Sequence, residues 1–451
     1  MKSRNTLLLF IIVVVLGAYL YFYEYKGAKQ REEEKTRAEM LIDFKKEDVT
    51  GIALISSHET IECHRDSSGE WKIVKPVQAD GDKGTIEGII NTLHSARRER
   101  IIAETDSNLT DYGLKPPEAT LILSFKSGKA DTLLVGNKNP TKTFAFVKLA
   151  HSPKVLLTSS SVYYSARKKL FDLRDKHIIK FSKKDVNKLV IHTGKKSFAV
   201  EKIEGIWTLK SPIEARADAD TINKILNRIN SSRVKEFVEE HPEDLTQYGL
   251  APPAYAIDLY LAPNNAKKTL FIGKKKDDKY YYARDESRSP VFLVSKQVTN
   301  VLKQSVYNLR DKQIVNYDKY KVNRIEWVYS DSSIVCAKDT SGSWNVVEPV
   351  TATASQTKQW KINNVLSDIT RIRAKEFVAE PAKSLNPYGL AKPQLIIRIL
   401  DKDSKQLAEL LIGKEYKKEM FYVTNQDKKI VFAVKRDDIK KVKLQVKDLI
   451  K

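Results

Sequence analysis

The segment at residues 136–143, Gly-Asn-Lys-Asn-Pro-Thr-Lys-Thr, is the nearest approach in this chain to a motif of known chemistry. It differs at one position from the phosphate-binding loop, in which a second glycine lets the backbone come close to a phosphate group. Thr141 stands at that glycine's position. Similar segments that begin at Gly273 and Gly413 indicate turns between strands, and each is followed by a strand rather than a helix. We therefore expect no nucleotide site in this segment.

The histidines and cysteines match no metal-binding motif. The seven histidines form neither a His-x-x-x-His nor a His-Glu-x-x-His pattern, and the two cysteines stand far apart. The sequence has no Gly-x-Ser-x-Gly turn, which would present a serine nucleophile. We therefore expect no catalytic residue, no metal and no cofactor.

Two carboxylates recur beside arginines, since Asp175 follows Arg174 and Asp311 follows Arg310. One interpretation is a general acid–base pair, which needs a cleft and a shifted pKa. The other is an ion pair that ties the closing helix of one structural unit to the next unit, because an Asp-Lys pair stands at each border. We favour the ion pair.

The two cysteines occupy equivalent positions, because Cys63 and Cys336 each precede a tryptophan, Trp71 or Trp344, by eight residues. Equivalent points of separate domains rarely come within disulfide distance. We expect both thiols to be small core residues on a strand.

These spacings reflect three copies of one unit. Tyr-Gly-Leu occurs three times, at spacings of 136 and 140 residues by subtraction of residue numbers. We predict copy one at residues 41–176, copy two at residues 177–312 and copy three at residues 313–451. Residues common to all copies are expected to serve the fold, and the alternative is that the three tyrosines contact a ligand. The common residues are Trp71, Trp207, Trp344, Tyr112, Gly113, Leu114, Tyr248, Gly249, Leu250, Tyr388, Gly389 and Leu390.

Copy two shows the elements of the unit most clearly. Asp218 is expected to cap a helix whose apolar residues recur at helical spacing, with Asp82 and Ser355 as its counterparts. Gly249 is expected to end a helical turn in a left-handed conformation, and a helix at residues 298–307 closes the unit. These patterns predict an α+β fold with a mainly antiparallel sheet and two helices in each copy, and they leave open whether the strands form one sheet or two. The predicted strands are 189–192, 197–200, 205–209, 234–238, 255–261, 269–272, 280–283 and 291–294.

Residues 7–23 carry no charge and are rich in Leu, Ile and Val. A membrane-spanning helix needs roughly 17–25 apolar residues, so we predict an uncleaved transmembrane signal anchor. A cleaved signal peptide is the alternative, but aromatic residues occupy the positions where a small-x-small site is expected. Lys2 and Arg4 favour a cytoplasmic N-terminus at residues 1–6, and residues 24–40 indicate a charged stalk.

The chain carries 79 Lys and Arg residues against 57 Asp and Glu residues, a formal net charge of +22. Such a surface can serve solubility alone, or it can attract nucleic acid, anionic lipid or an anionic envelope polymer. The basic residues are spread over all three copies and match no nucleic-acid module. We therefore expect no nucleic-acid partner and keep the lipid and polymer interpretations.

The combination of a tryptophan before a proline, a capped helix, Tyr-Gly-Leu-x-x-Pro, an apolar run ending in glycine, and Leu-Arg-Asp-Lys resembles the bacterial family known as domain of unknown function 4340. The resemblance covers residues 41–451, although copy three lacks the arginine of the closing motif. It implies one N-terminal membrane segment and a place beside an ABC transporter permease, its ATPase and a gliding-motility-type auxiliary protein. The family brings no established catalytic residues. The matching residues in copy one are Trp71, Pro76, Tyr112, Gly113, Leu114, Pro117 and Gly136.

These observations predict a non-enzymatic accessory or scaffold protein. It would cross the bacterial inner membrane once, with its body in the periplasm or otherwise outside the cytoplasm. The resemblance implies an ABC transport system, with permease, ATPase and auxiliary subunits as partners. The alternative is an envelope-binding module that recognises an anionic polymer or lipid through its basic surface. An enzyme ranks third, because it would need a cleft lined by polar residues that only one copy has.

Overall fold

The computed structural model of this chain describes residues 3–21, 23, 27–105, 108–349 and 351–451. The predicted cytoplasmic segment, anchor and stalk therefore fall partly outside the described residues, at residues 1 and 2, at Phe22 and at residues 24–26.

Two helices precede the first sheet, α1 (Ser3–Tyr19) and α2 (Gly27–Glu39). The side chains of residues 7–21 are exposed. Among the residues that the structure describes, no helix is both long enough and apolar enough to cross a membrane.

The described residues of copy one form a single antiparallel sheet with three helices. The strands are β1 (Val49–Ile55), β2 (Thr60–Arg65), β3 (Trp71–Lys75), β4 (Ala79–Asp80), β5 (Arg100–Ala103), β6 (Ala119–Phe125), β7 (Ala130–Lys138), β8 (Phe144–Leu149) and β9 (Val155–Ser159). The helices are α3 (Lys83–Ser95), α4 (Ser160–Ala166) and α5 (Leu170–Leu173). The strand order is β4-β3-β2-β1-β6-β7-β8-β9-β5.

Copy two repeats this arrangement in a second antiparallel sheet. The strands are β10 (Val186–Thr193), β11 (Lys196–Ile203), β12 (Ile206–Ser211), β13 (Ala215–Arg216), β14 (Phe237–Glu239), β15 (Tyr255–Leu261), β16 (Ala266–Lys275), β17 (Tyr280–Asp285) and β18 (Val291–Ser295). The helices are α6 (Ala219–Ser231), α7 (Lys296–Leu302) and α8 (Val306–Leu309). The strand order is β13-β12-β11-β10-β15-β16-β17-β18-β14.

Copy three has eight strands among its described residues, since a single bridge between Val346 and Ala352 stands where copies one and two have a short edge strand. The strands are β19 (Arg324–Tyr329), β20 (Ser333–Lys338), β21 (Trp344–Glu348), β22 (Glu376–Ala379), β23 (Leu395–Leu400), β24 (Gln406–Tyr416), β25 (Met420–Asn425) and β26 (Val431–Lys435). The helices are α9 (Gln359–Arg371), α10 (Arg436–Val442) and α11 (Val446–Leu449). The strand order is β21-β20-β19-β23-β24-β25-β26-β22. The chain is thus an α+β protein with three antiparallel sheets, and each copy has one sheet rather than two.

The prediction of two helices per copy is wrong, because the closing helix is broken. In copy two the predicted helix at 298–307 is replaced by α7 and α8. Ser305 between them has an extended backbone, and its hydroxyl accepts a hydrogen bond from the N–H of Asn308 at 3.2 Å. A serine in this role starts a new helix.

The predicted strand 234–238 begins only at Phe237. The N–H of Val234 donates to the carbonyl oxygen of Lys176 at 2.7 Å, so the chain before Phe237 is held by the end of copy one instead of a sheet neighbour.

The helix caps are confirmed in two copies and wrong in the third. Asp82 accepts a hydrogen bond from the N–H of Thr85 at 2.8 Å, and Asp218 does the same for Thr221 at 2.9 Å. Ser355 lies four residues before α9, in a turn that copy three has in addition. Lys358 instead holds the position of the two aspartates. The backbone N–H of each of these three residues donates to the carbonyl oxygen of the leucine that ends the closing helix of the same copy. The pairs are Asp82 with Leu173, Asp218 with Leu309 and Lys358 with Leu449.

The core of copy one lies between the sheet and the apolar face of α3. Trp71 is 1% exposed and packs in the same cluster as Ile86 and Leu93 of α3. Cys63 on β2 is buried there too, and burial raises the pKa of its thiol to about 12. Cys336 on β20 is equally buried in the core of copy three, with its pKa raised to about 12 by burial. Both cysteines are therefore core residues on strands, as predicted.

The Tyr-Gly-Leu turn packs directly against the glycine that ends the apolar run of the same copy. Gly113 has a φ of +66°, which permits the left-handed turn. A Cβ atom on Gly136 would lie 2.2 Å from the carbonyl oxygen of Tyr112. Only glycine therefore fits at position 136. The same approach occurs at 2.1 Å between Gly273 and Tyr248 and at 2.3 Å between Gly413 and Tyr388.

The chain divides into two compact units. The first unit comprises Met1–Phe181, Ile229–Ala254 and Leu270–Val298, and the second comprises Ser182–Arg228, Tyr255–Thr269 and Thr299–Lys451. These borders differ from those of the predicted copies, which stay a prediction.

We expect Gly136→Ala to lower the free energy of unfolding of the first unit by about 1–3 kcal/mol, because the methyl group would overlap the Tyr112 carbonyl oxygen. Hydrogen exchange of the β6 and β7 amides measures this. Gly88→Ala is the matched control, since Gly88 lies inside α3 with open space around its Cα. The control should stabilise the unit by about 0.5–1 kcal/mol. Equal effects of the two variants would contradict the close approach.

Candidate functional site at the arginine joints

Arg174, directly after α5, makes a buried contact that we call the first arginine joint, formed by Arg174, Phe237 and Glu240. The guanidinium carbon lies 3.4 Å from the centroid of the Phe237 ring. Nη2 donates to Oε2 of Glu240 at 3.1 Å, and Nη1 donates to Oε1. Arg174 is only 4% exposed. The planar fork of arginine suits both contacts, because it matches a carboxylate with two hydrogen bonds while its face covers an aromatic ring.

The second arginine joint repeats this geometry with Arg310, Phe377 and Glu380. The guanidinium carbon lies 3.6 Å from the ring centroid of Phe377. Nη1 is 2.6 Å from Oε2 of Glu380, and Nη2 donates to Oε1 at 2.8 Å. Arg310 is 6% exposed. One structural solution therefore occurs twice, once in each compact unit.

The aspartate and the lysine of the Leu-Arg-Asp-Lys motif hold the backbone on either side of the arginine. At the first joint the N–H of Asp175 donates to the carbonyl oxygen of Asp80 at 2.9 Å. The ammonium group of Lys176 donates to the carbonyl oxygens of Asp172 and Arg174 at 2.8 and 3.2 Å, which satisfies the end of α5. At the second joint Asp311 and Lys312 make the corresponding bonds to Arg216, Asn308 and Arg310.

The predicted ion pair between successive copies exists at Asp175, which pairs with Lys180 of copy two, whereas Asp311 pairs with Arg216 of its own copy. A further ion pair between copies, made by each arginine with a glutamate, was not predicted. Arg174 pairs with Glu240 and Arg310 with Glu380, while the aspartates have other partners. The sequence does contain a pattern that indicates the glutamates. Copies two and three share the spacing Phe-x-x-Glu, whereas copy one has Ile101 at the phenylalanine position.

Copy one lacks the phenylalanine of the joint, and copy three lacks the arginine. Ile101 is 45% exposed. Ile450 stands in copy three where copies one and two have Arg174 and Arg310. Ile101 has no aromatic face and Ile450 has no guanidinium group, so neither residue can make the contact that its counterparts make.

Asp175 is held by basic groups beside the first joint. Its Oδ1 accepts hydrogen bonds from the backbone N–H of His177 at 2.8 Å and pairs with Nδ1 of His177 at 2.5 Å, and Oδ2 pairs with the Lys180 ammonium. Burial alone would raise the pKa of Asp175, but the hydrogen bonds from Lys180 and His177 outweigh it and lower the pKa below its usual value.

Asp311 has a different environment beside the second joint. It accepts a hydrogen bond from the N–H of Gln313 at 2.9 Å and lies 3.3 Å from Nε of Arg216. Asn316 stands where the first joint has Lys180, by the 136-residue spacing that separates Asp175 from Asp311. Arg216, which stands where copy one has Asp80, therefore supplies the basic group beside Asp311 in place of Lys180.

A cavity of about 400 Å³ borders the second joint and lies within the second unit. Its size is that of a small-molecule site. Its lining contains both apolar and charged side chains. It is lined by Arg216, Arg310, Asp311, Phe377 and Glu380, among other residues.

The sequence motifs stay apart from this cavity. Trp71, Trp207 and Trp344 are 1, 8 and 1% exposed. Each motif tyrosine packs against an aromatic ring of its own sheet, with centroid distances of 4.9 Å for Tyr112 with Phe146, 5.0 Å for Tyr248 with Tyr282 and 5.0 Å for Tyr388 with Tyr422. Leu114, Leu250 and Leu390 are buried at 2, 5 and 1% exposure.

The segment that approaches a phosphate-binding loop is a turn between β7 and β8. Asn139 closes it by accepting hydrogen bonds from the N–H groups of Lys142 and Phe144 at 2.9 and 3.0 Å. A strand follows instead of a helix. Across the described part of the chain, no three His, Cys, Asp or Glu side chains are grouped to hold a metal ion.

A family model described as "Domain of unknown function (DUF4340)" matches three segments of the chain, residues 71–205, 207–378 and 344–451. The chain belongs to this family. Each matched DUF4340 segment begins at a motif tryptophan, and the first continues past Arg174 into copy two. The residues matched in one segment therefore include an arginine donor from one copy and strands of the next.

Other comparisons add little. No curated protein matches the chain. Two solved structures from Pseudomonas aeruginosa are similar to it over most of its length. The DNA polymerase sliding clamp with ligand is 8% identical, with 89% of this chain and 95% of that chain covered and a TM-score of 0.16. The DNA polymerase III subunit beta is 10% identical, with 86% and 92% covered and a TM-score of 0.15. Similarity at such TM-scores carries no inference about this DUF4340 protein.

We expect Arg310→Ala to lower the free energy of unfolding of the second unit by about 2–4 kcal/mol, because it removes a buried ion pair and uncovers Phe377. Urea unfolding followed by tryptophan fluorescence measures this, since Trp207, Trp327, Trp344 and Trp360 all belong to that unit.

Arg436→Ala is the matched control for Arg310→Ala. Arg436 also pairs with a glutamate, Glu415, but the two side chains are 35 and 48% exposed. The control should cost less than about 1 kcal/mol. A loss at Arg310 no larger than that at Arg436 would refute the importance of the joint.

Asp175→Asn should destabilise the first unit at pH 7 and make its stability less sensitive to acid. The pKa of Asp175 is lowered in the folded state, so its stabilisation is complete above the unfolded value of about 3.9 and is lost as pH falls through the folded value. Hydrogen exchange and urea unfolding between pH 7 and pH 2.5 should show the two proteins converging below about pH 4. Asp331→Asn, which removes a carboxylate from an exposed residue of the second unit, is the control and should leave the unfolding of the first unit unchanged. Parallel profiles for wild type and Asp175→Asn would contradict this account.

Proposed function

We propose that this DUF4340 protein is a non-enzymatic scaffold or accessory protein, anchored at a membrane with its three-copy body outside the cytoplasm. The observation that carries the proposal is the arginine joint. It is built twice from the same residue types, it is buried, and it couples the end of one copy to a strand of the next. Copies joined by such a contact suit a protein that presents surfaces to partners rather than one that carries out a reaction.

The membrane anchor is part of the proposal. The uncharged run at residues 7–23 and the exposure of the side chains at residues 7–21 support it. Aromatic residues at the far end of the run are typical of the boundary between lipid and water. We propose a single-pass protein of the bacterial inner membrane with a cytoplasmic N-terminus and three tandem α+β copies on the other side.

An ABC transport system is the proposed setting. Its permease, ATPase and auxiliary subunits would be the partners, as the resemblance to the family implies. The copies would act through their surfaces, since the motif residues that they have in common are taken up by packing within each sheet.

A second function is an envelope-binding module, and the net charge of +22 favours it. A basic surface spread over three copies would attract an anionic polymer or lipid over a long contact. Such binding weakens steeply with added salt, whereas a scaffold contact made through apolar surface does not.

The test is a pull-down of the full-length protein from native membranes after light crosslinking, with mass spectrometry of the captured proteins. We expect a permease and an ATPase, with recovery reduced when residues 7–23 are replaced by an unrelated membrane helix or when one copy is deleted. The matched control is Arg436→Ala, which leaves the anchor and both arginine joints intact.

A capture without any transporter component would sink the accessory role. Enrichment of an anionic polymer or lipid in that case, released at high salt, would move the envelope-binding function to first place.

A further inference from the structure

The structure describes all five tryptophans of the chain, and Trp360 on α9 is the exposed one. Its exposed fraction is 61%, whereas each of the other four is 8% exposed or less. The residues of α9 that face the core are Ile362, Val365, Leu366 and Ile369. At roughly 3.6 residues per turn, position 360 lies on the opposite side of the helix. Trp360 therefore projects away from the core of copy three.

A second aromatic side chain, Tyr320, lies on the same side of copy three and is 93% exposed. It directly follows Lys319, whose ammonium group donates to the hydroxyl oxygen of Ser367 at 3.4 Å. Ser367 comes seven residues after Trp360 on α9. Seven residues are close to two helical turns, so Ser367 and Trp360 share the outward side of α9, about 10 Å apart along its axis.

Basic groups surround both rings. Nζ of Lys361 lies 5.9 Å from the centroid of the Trp360 ring. Lys319 and Lys321, both exposed, stand on either side of Tyr320 in the chain. We call Tyr320, Lys321, Trp360 and Lys361 the aromatic face of copy three.

The two acids nearest to this face already have partners. Oδ1 of Asp318 accepts a hydrogen bond from the backbone N–H of Tyr320 at 3.0 Å and so closes the short helical turn. Asp368 pairs with Arg371 of the same helix at 3.7 Å. The aromatic face itself contains no acid, so its charge is positive.

Copies one and two lack the aromatic face, although they have the contact that frames it. The bond from Lys319 to Ser367 recurs from Lys46 to Asn91 at 3.1 Å and from Lys183 to Asn227 at 2.6 Å, which aligns the three copies. By this alignment both rings belong to copy three alone, and copies one and two have an aspartate in place of Lys321. The residues at the four positions are Glu47, Asp48, Gly84 and Thr85 in copy one and Lys184, Asp185, Asp220 and Thr221 in copy two.

Exposed aromatic rings beside lysines match the surface of a lipid bilayer. Tryptophan and tyrosine favour the boundary between lipid and water, because each ring has an apolar body and a polar group. Lysine can lay its aliphatic stem along the apolar region while its ammonium group stays among the headgroups. Anionic headgroups attract each such lysine. The cores of protein–protein interfaces, in contrast, are depleted of lysine.

We propose that the aromatic face of copy three docks on a bilayer surface that contains anionic phospholipid, with the rings of Trp360 and Tyr320 at the level of the headgroups. The inference goes beyond the scaffold function. It assigns the lipid contact to one side of one copy, whereas attraction through the net charge would involve all three copies.

The test is tryptophan fluorescence of the full-length protein in lipid nanodiscs made of equal parts of phosphatidylcholine and phosphatidylglycerol, with and without bromine on the acyl chains. The difference between the wild-type protein and Trp360→Phe gives the emission of Trp360, and residues 7–23 contain no tryptophan. We expect bromine to lower this emission at least about twofold, because a ring at the boundary lies within roughly 5–10 Å of the acyl chains. Nanodiscs of phosphatidylcholine alone should give less than about half of that quenching, because they offer no anionic headgroup to the lysines.

Lys321→Gln combined with Lys361→Gln removes two charges from the aromatic face. We expect this double variant to lose at least about half of the quenching, because each lysine near the surface adds attraction to anionic lipid. Lys418→Gln combined with Lys429→Gln is the matched control, since it removes the same charge at two exposed turn residues of the same unit. The control should lose less than about a fifth of the quenching, through screened long-range charge alone.

Tyr320→Glu gives copy three the residue type that copy one has at this position. It should lower the quenching of Trp360 by at least about half, because it removes one ring and sets a negative charge against the anionic lipid. Unchanged quenching in this variant would show that Tyr320 lies away from the lipid and would count against the docking surface.

Three further results would overturn the proposal. They are an unquenched Trp360 in nanodiscs that hold the anchored protein, which would leave the face to a protein partner, equal quenching without phosphatidylglycerol, and an equal loss in the two double lysine variants. A protein that does not enter nanodiscs would count against the membrane anchor instead. The same quenching would then be measured after vesicles of the two lipid compositions are added to the full-length protein, with the same results expected.

Discussion

A guanidinium group held between a phenyl ring and a carboxylate is the interaction on which the arrangement of this protein depends. Arginine is costly to bury, because its charge and its donors must be satisfied away from water. At the joint, a bidentate ion pair with the glutamate satisfies the charge and two of the donors, and the phenylalanine ring covers the face of the guanidinium group. It therefore forms only if three parts of the chain are in place, which are the end of the closing helix, the phenylalanine on β14 or β22, and the glutamate three residues later. The backbone bonds of the Leu-Arg-Asp-Lys motif provide that positioning.

The contents of the two compact units follow from this interaction. Each unit contains one complete joint, with its arginine, phenylalanine and glutamate. A contact of this kind draws part of copy two into the unit of copy one and another part into the unit of copy three. The repeated copies and the compact units therefore divide the same chain at different places. The DUF4340 matches divide it in a third way, because each of them begins at a tryptophan inside a sheet.

The local elements could be predicted from the sequence, and the long-range contacts could not. Strand periodicity, the left-handed glycine and the caps at Asp82 and Asp218 depend on neighbouring residues, so pattern alone identified them. Phe237 and Glu240 act on an arginine more than sixty residues earlier, and nothing in their neighbourhood indicates a partner. Ser355 was mistaken for a cap because copy three has an additional turn, which shifted the alignment of the copies.

The isoleucines at positions 101 and 450 bear on how separate chains meet. Repeated units with complementary ends tend to add to one another head to tail, and an unclosed series of such contacts grows into a filament. Here the aromatic acceptor is missing from the first copy and the arginine donor from the last. A contact between separate molecules through these two positions would therefore lack both the stacked ring and the guanidinium group. The chemistry that connects copies within the chain is not available for a contact between Ile101 of one molecule and Ile450 of another.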